Sequence, residues 1–111
     1  MTTATAAVAL SIVIPAKNEA LAIAAVVAGA LSEFPHAEVS VVDDGFNDDT
    51  GRMARDAGAI VISHSESLGN GAAIKAGARV AHGELIAFMD GDGQHHASQL
   101  KPLLEKLAQG Y

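Results

Sequence analysis

The chain has 111 residues, half of them apolar, with a formal net charge of -6 and no cysteine. That length and hydrophobicity describe one folded domain with a modest core, burying roughly two-thirds of its unfolded surface, and exclude a disordered chain. The lack of cysteine removes disulfides, zinc-thiolate centres and thiol nucleophiles, and an acidic chain without a lysine or arginine cluster argues against binding nucleic acid.

Residues 1–9 are small and apolar, lack the basic segment of a secretory signal, and read as a flexible tail. The apolar run Ala6 to Pro15 is too short to span a bilayer. The domain proper is expected over 10–111. Its first strand is Leu10 to Ile14, followed by an alanine-rich helix over Glu19 to Phe34. Apolar residues Leu21, Ala24, Ala25, Ala28 and Leu31 form the expected stripe of that helix, with Asn18 as its cap and Pro35 past its end.

A second strand, Val39 to Val42, ends in Asp43, Asp44 and Gly45. A carboxylate at the end of a second strand suits a nucleotide, accepting from ribose hydroxyls or a base N–H. Capping is the competing role, because Asn47, Asp48, Asp49 and Thr50 have the composition of a helix start. Both roles stay open for Asp43. The second helix is expected over Asp48 to Ala57, stopping at Gly58, and the third strand over Ile60 to Ile62.

Gly69-Asn70-Gly71 opens a third helix running to Ala81, with Ala73, Ile74, Gly77, Ala78 and Ala81 on one face. Its first amides and positive dipole end can meet an anion or a base edge, and two glycines equally suit a tight strand-to-helix turn. The fourth strand, Leu85 to Phe88, runs into Met89-Asp90-Gly91-Asp92-Gly93-Gln94-His95. Side chains two apart in an extended chain point the same way, so Asp90 and Asp92 can converge on one hard cation. Gln94 offers a further neutral oxygen, Gly91 and Gly93 let the backbone turn sharply, and a solvated acidic turn is the plain alternative. His95 and His96 read as exposed loop residues, and no partner is identified for His36, His64 or His82. A fourth helix is expected over Ser98 to Ala108, with Leu100, Leu103, Leu104 and Leu107 as its stripe.

Apolar strands alternating with helices describe an α/β fold: a parallel, Rossmann-like sheet of about four strands with helices on both faces. In such sheets ligands bind beyond the carboxyl ends of the strands, where each polar cluster of this chain falls. Pro15-Ala16-Lys17-Asn18-Glu19 stands where a dinucleotide fold would carry Gly-x-Gly-x-x-Gly, and neither a Walker-type loop nor a Gly-x-Ser-x-Gly elbow is present.

Four ordered motifs carry a resemblance: Ile14 to Glu19, Val41 to Gly45, Gly69 to Ile74 and Phe88 to His95. Together they resemble the amino-terminal half of a family 2 glycosyltransferase domain of GT-A fold, in the group of dolichol-phosphate mannose synthases and bacterial polyprenyl-phosphate hexosyltransferases. The resemblance implies sugar transfer from a nucleotide-diphosphate donor with Mg2+ or Mn2+. Asp90, Asp92 and Gln94 are then the metal and diphosphate residues, and Pro15, Ala16, Glu19, Asp43 and Gly71 the donor-binding ones. Phe46, Asn47, Asp49, Ser67 and Asn70 depart from the residues usual in the family. Relatives continue for about as long again, with the acceptor surface and catalytic base there, so a shortened chain supplying the donor-binding half is expected.

The resemblance further implies a nucleotide-diphosphate sugar and a polyprenyl phosphate as partners, at a cytoplasmic site close to a membrane surface. An alternative is a non-catalytic nucleotide-binding or oligomerising module that retains the fold, and a homo-oligomer formed through the exposed sheet edge at the fourth strand is expected. A nucleotidyltransferase is disfavoured, because that class carries a glycine-rich, arginine-bearing loop after its first strand.

Overall fold

The computed structural model describes residues 9–45, 48–64, 68–92 and 102. The strands are β1 (Leu10–Ala16), β2 (Glu38–Asp43), β3 (Ile60–Ser63) and β4 (Leu85–Phe88), and the helices are α1 (Ile23–Glu33), α2 (Thr50–Asp56) and α3 (Asn70–Val80). The strands form one parallel sheet in the order β3-β2-β1-β4. The expected tail and most of the fourth helix lie outside the described residues; Pro102 is in helical conformation.

β1 is central and apolar, so it is buried on both faces. Ile12, Val13 and Ile14 are fully inaccessible. Alternation divides the strand between two layers. Ile12, Ile14 and Ala16 join Val39 and Val41 under α1 and α2, whereas Val13 joins Val42 under Ala73 and Ala76 of α3. Gly77 lets α3 descend onto the sheet, since a Cβ there would lie 2.2 Å from Val13 Cγ1. β3 and β4 are the edges, and Ile60, Ile86 and Phe88 on them are exposed.

The four strands lie where the apolar runs place them, with β1 extended through Pro15 and Ala16. Pro15 lacks a donor but falls where none is needed. Met89 N donates to Val13 O, the last rung toward β4, and Pro15 is the next β1 residue with that orientation.

α1 departs from expectation. It starts at Ile23, not Glu19, and its buried stripe is Ile23, Val26, Val27 and Ala30. Leu21 is fully exposed, at 103%. The spacing i, i+3, i+4, i+7 fits both sets, but three branched side chains bury more apolar area than the alanines of the alternative face. Asn18 takes a left-handed φ of 56° and is therefore not a helix cap.

The turn from α3 into β4 is locked at the amino end of the sheet. Glu38 Oε1 accepts from Ser11 Oγ and His82 N, both at 2.9 Å, while Oε2 lies 2.7 Å from His82 Nδ1. Ser11 Oγ in turn accepts from Gly83 N at 2.8 Å, and a Cβ on Gly83 would sit 2.6 Å from Ser11 N.

Two outcomes test this packing. Gly77→Ala should cost about 1–3 kcal/mol by overpacking against Val13, measured by urea unfolding. His82, chiefly through its side-chain bond, holds the Glu38 carboxyl below its ordinary value. A depressed carboxylate stabilises above its unfolded pKa and loses that contribution as pH falls through the folded one. Glu38→Gln should therefore lower stability by about 1–2 kcal/mol near neutrality, with the gap closing in acid, as read from unfolding curves across pH.

Candidate functional site

β1, α1, β2, α2 and β3 progress to one side, and α3 then carries the chain back across the sheet to place β4 beside β1. The winding reverses between β1 and β4, which is where an open parallel sheet forms a crevice at its carboxyl ends. β1 also outruns its partner: β4 pairs only as far as Val13, leaving Ile14 to Ala16 beyond it. A cleft of about 460 Å³ opens there.

Four segments line its walls among the described residues. Pro15, Ala16, Lys17 and Glu19 come from the end of β1; Asp44 follows β2; Gly69 and Ala73 come from the start of α3; Asp90, Gly91 and Asp92 follow β4. The turn at residues 90–92 fits against β1 because residue 91 is glycine. A Cβ at Gly91 would lie 3.0 Å from Ala16 Cβ and 3.3 Å from Ile23 Cδ1.

The loop after β1 is held by α2. Glu19 N donates to Thr50 Oγ1 at 2.9 Å and Ala20 N to Asp48 Oδ2 at 3.2 Å. Asp48 also accepts from Thr50 N, and the Thr50 hydroxyl is the largest influence lowering its pKa. Asp48 and Thr50 thus tie two loops together. Asp49 occupies the cap position but makes no side-chain cap bond.

The paired acids of β2 separate by strand alternation. Asp43 points beneath α2: its Oδ1 accepts from Gly45 N at 3.1 Å, and a Cβ on Gly51 would sit 3.0 Å from its Oδ2. Burial raises its pKa despite bonds from the Gly45 and Gly51 amides, with Asp48 and Asp44 adding to the rise. Asp44 points the other way, into the cleft wall. Its Oδ1 accepts from Leu68 N at 2.9 Å and lies 2.7 Å from His64 Nδ1, and its Oδ2 accepts from Gly69 N at 2.8 Å.

Of the residues expected at a site, the structure gathers Pro15, Ala16, Glu19, Asp90 and Asp92 around one cleft. Asp43 and Gly71 are not among its lining residues. Gln94, His95 and His96 lie outside the described residues. Lys17, Asp44 and the His64 contact are additions. The signal for Asp44 is parity with Val42, which faces α3, although only the folded sheet tells which face holds the cleft.

The cleft's charge is lopsided. Among the described residues, Glu19, Asp44, Asp90 and Asp92 line it with one ammonium, that of Lys17. Burial raises the Glu19 pKa, and the charges of Asp92, Asp48 and Asp90 raise it further. Among the described residues no three His, Asp or Glu side chains are grouped to hold an ion. The donors present are carboxylate oxygens, suited to a hard cation that completes its shell from water and a ligand's phosphates.

Glycosyl transferase family 2 matches residues 11–111. The chain belongs to that family. It is 38% identical over 109 residues to the succinoglycan biosynthesis protein ExoU of Rhizobium meliloti, covering 94% of this chain and 32% of the relative. It is 33% identical over 112 residues to the undecaprenyl-phosphate 4-deoxy-4-formamido-L-arabinose transferase of Aeromonas hydrophila, covering 92% and 34%. The chain therefore spans about a third of the length of these curated relatives. Among solved structures it is similar to glucosyl-3-phosphoglycerate synthase of Mycobacterium tuberculosis in complex with Mn2+, UDP-glucose and phosphoglyceric acid. That match has a TM-score of 0.79 and 28% identity over 95% of this chain and 41% of the other. The fold is GT-A. No described helix of this family member is long and apolar enough to cross a membrane.

Proposed function

We propose that this chain is the donor-binding part of a glycosyltransferase that moves a sugar from a nucleoside diphosphate to an acceptor phosphate. The observation that carries the reading is the convergence of Asp90 and Asp92 with the end of β1 on one cleft at the sheet's reversal point. The similar synthase holds Mn2+ with UDP-glucose, which supports the same use of the cleft here.

Among the described residues, four carboxyl groups beside one ammonium disfavour a bare diphosphate. Asp90 and Asp92 would hold Mg2+ or Mn2+, with Gln94 as a further candidate. The ion, when bound, supplies Lewis-acid neutralisation of charge on the departing diphosphate. Pro15, Ala16 and Glu19 shape the nucleoside side, with Asp44 as the cleft acid of the second loop. Asp43 accepts from Gly45 N and so fixes the turn after β2, and Gly71 offers a backbone amide in the first turn of α3, the parts assigned to them in donor binding. Lys17 packs over Gly45, where a Cβ would come within 3.1 Å of Lys17 Cγ, and is a basic residue of the cleft lining.

The acceptor of the whole enzyme is a polyprenyl phosphate by analogy with the arabinose transferase. A lipid-linked acceptor would bring the enzyme to a membrane surface.

Because no three ligands are preassembled among the described residues, ion and nucleotide should bind as a coupled pair. Calorimetry of UDP- and GDP-sugars should show binding that tightens about tenfold or more with Mn2+, and Asp90→Ala with Asp92→Ala should abolish that gain. Equal affinity with and without Mn2+ contradicts the proposal.

A further inference from the structure

We infer that His64 is a positioning residue for the cleft carboxylate Asp44, and through it for the turn that delivers α3 to the nucleotide; this rests on the donor reading of the cleft. His64 directly follows β3, and its backbone N donates to Asp43 O at 3.0 Å, so the main chain that carries the ring is anchored to the sheet. Its Nδ1 lies 2.7 Å from Asp44 Oδ1, with the two side chains only 13% and 6% exposed. A carboxylate oxygen accepts, so Nδ1 is the donor of this bond.

The same carboxylate accepts the amides of Leu68 and Gly69. Among the described residues, three donors from the connection between β3 and α3 converge on this acid, one from the sheet side and two from the helix side. Gly69 adopts φ 94°, a conformation that its bond to Asp44 helps to hold, and its carbonyl accepts from Ala73 N in the first turn of α3. Gly69, Ala73 and Asp44 all line the cleft. The orientation of Asp44 thus sets both the acid a donor would meet and the backbone that enters α3. Among the described residues, His64 holds the acid from the sheet side.

A purely structural histidine would affect global stability alone. Amide exchange by NMR, together with calorimetry of UDP and GDP in the presence of Mn2+, separates the roles for wild type, His64→Ala and His64→Asn. In His64→Ala the Leu68 and Gly69 amides should exchange about tenfold faster while β1 amides keep their protection, and nucleotide affinity should fall about tenfold. His64→Asn retains a donor near the Nδ1 position and should recover both readouts. His64→Phe, which keeps ring volume without the donor, carries the test if His64→Ala does not fold. Unchanged local exchange and affinity, a uniform rise in exchange with affinity retained, or no recovery in His64→Asn would overturn the inference. If wild type binds neither nucleotide, the donor reading fails, and the exchange measurements still decide whether His64 fixes Asp44.

Discussion

Burial of β1 on both faces is the constraint from which the rest follows. A strand with Ile12, Val13 and Ile14 fully inaccessible needs a helix layer above and below, and parallel neighbours on either side. Right-handed crossovers can supply both layers only if the chain reverses direction across the sheet. α1 and α2 cover one face on the outward journey, and α3 covers the other on the return. The crevice between β1 and β4 is the product of that reversal. The close fit of Gly77 on Val13 and of Gly83 on Ser11 shows how tightly the return helix and its exit are seated.

The two poles of the sheet use polar groups differently. At the amino pole, Glu38 joins Ser11 and His82 in bonds that lower its pKa, a stabilising arrangement. At the carboxyl pole, Glu19 and Asp43 are both raised, chiefly by burial and secondly, for Glu19, by like charges. Asp48 at the same pole is lowered by its Thr50 bond, so raised and lowered carboxyls sit side by side there. A cation bound at Asp90 and Asp92 would reverse the repulsion that Glu19 feels.

Much of this architecture is legible in the chain. Branched apolar runs locate the four described strands: β1 and β2 because a strand buried on both faces needs continuous hydrophobicity, and the edge strands β3 and β4 because their short runs are still apolar although partly exposed. Asp90, Asp92 and the Pro15 to Glu19 segment are legible for the same reason, since they follow such runs directly. The start of α1 is less so: Glu19 and Ala20 look like a helix opening, yet their amides are taken by Thr50 and Asp48, residues about thirty positions away. The choice between Asp43 and Asp44 depends on which sheet face carries α3, a tertiary fact. His64 likewise gains meaning only from Asp44, twenty residues earlier.

The central claim is that ion and nucleotide meet at the reversal point of the sheet. Paramagnetic broadening of backbone amides by substoichiometric Mn2+ in the presence of UDP tests it most directly. The account predicts loss of signal for Lys17, Gly69, Gly91 and Asp92, with Glu38, His82 and Gly83 at the opposite pole left sharp. Broadening centred on the exposed carboxylates of α2, or spread evenly over the chain, would contradict it.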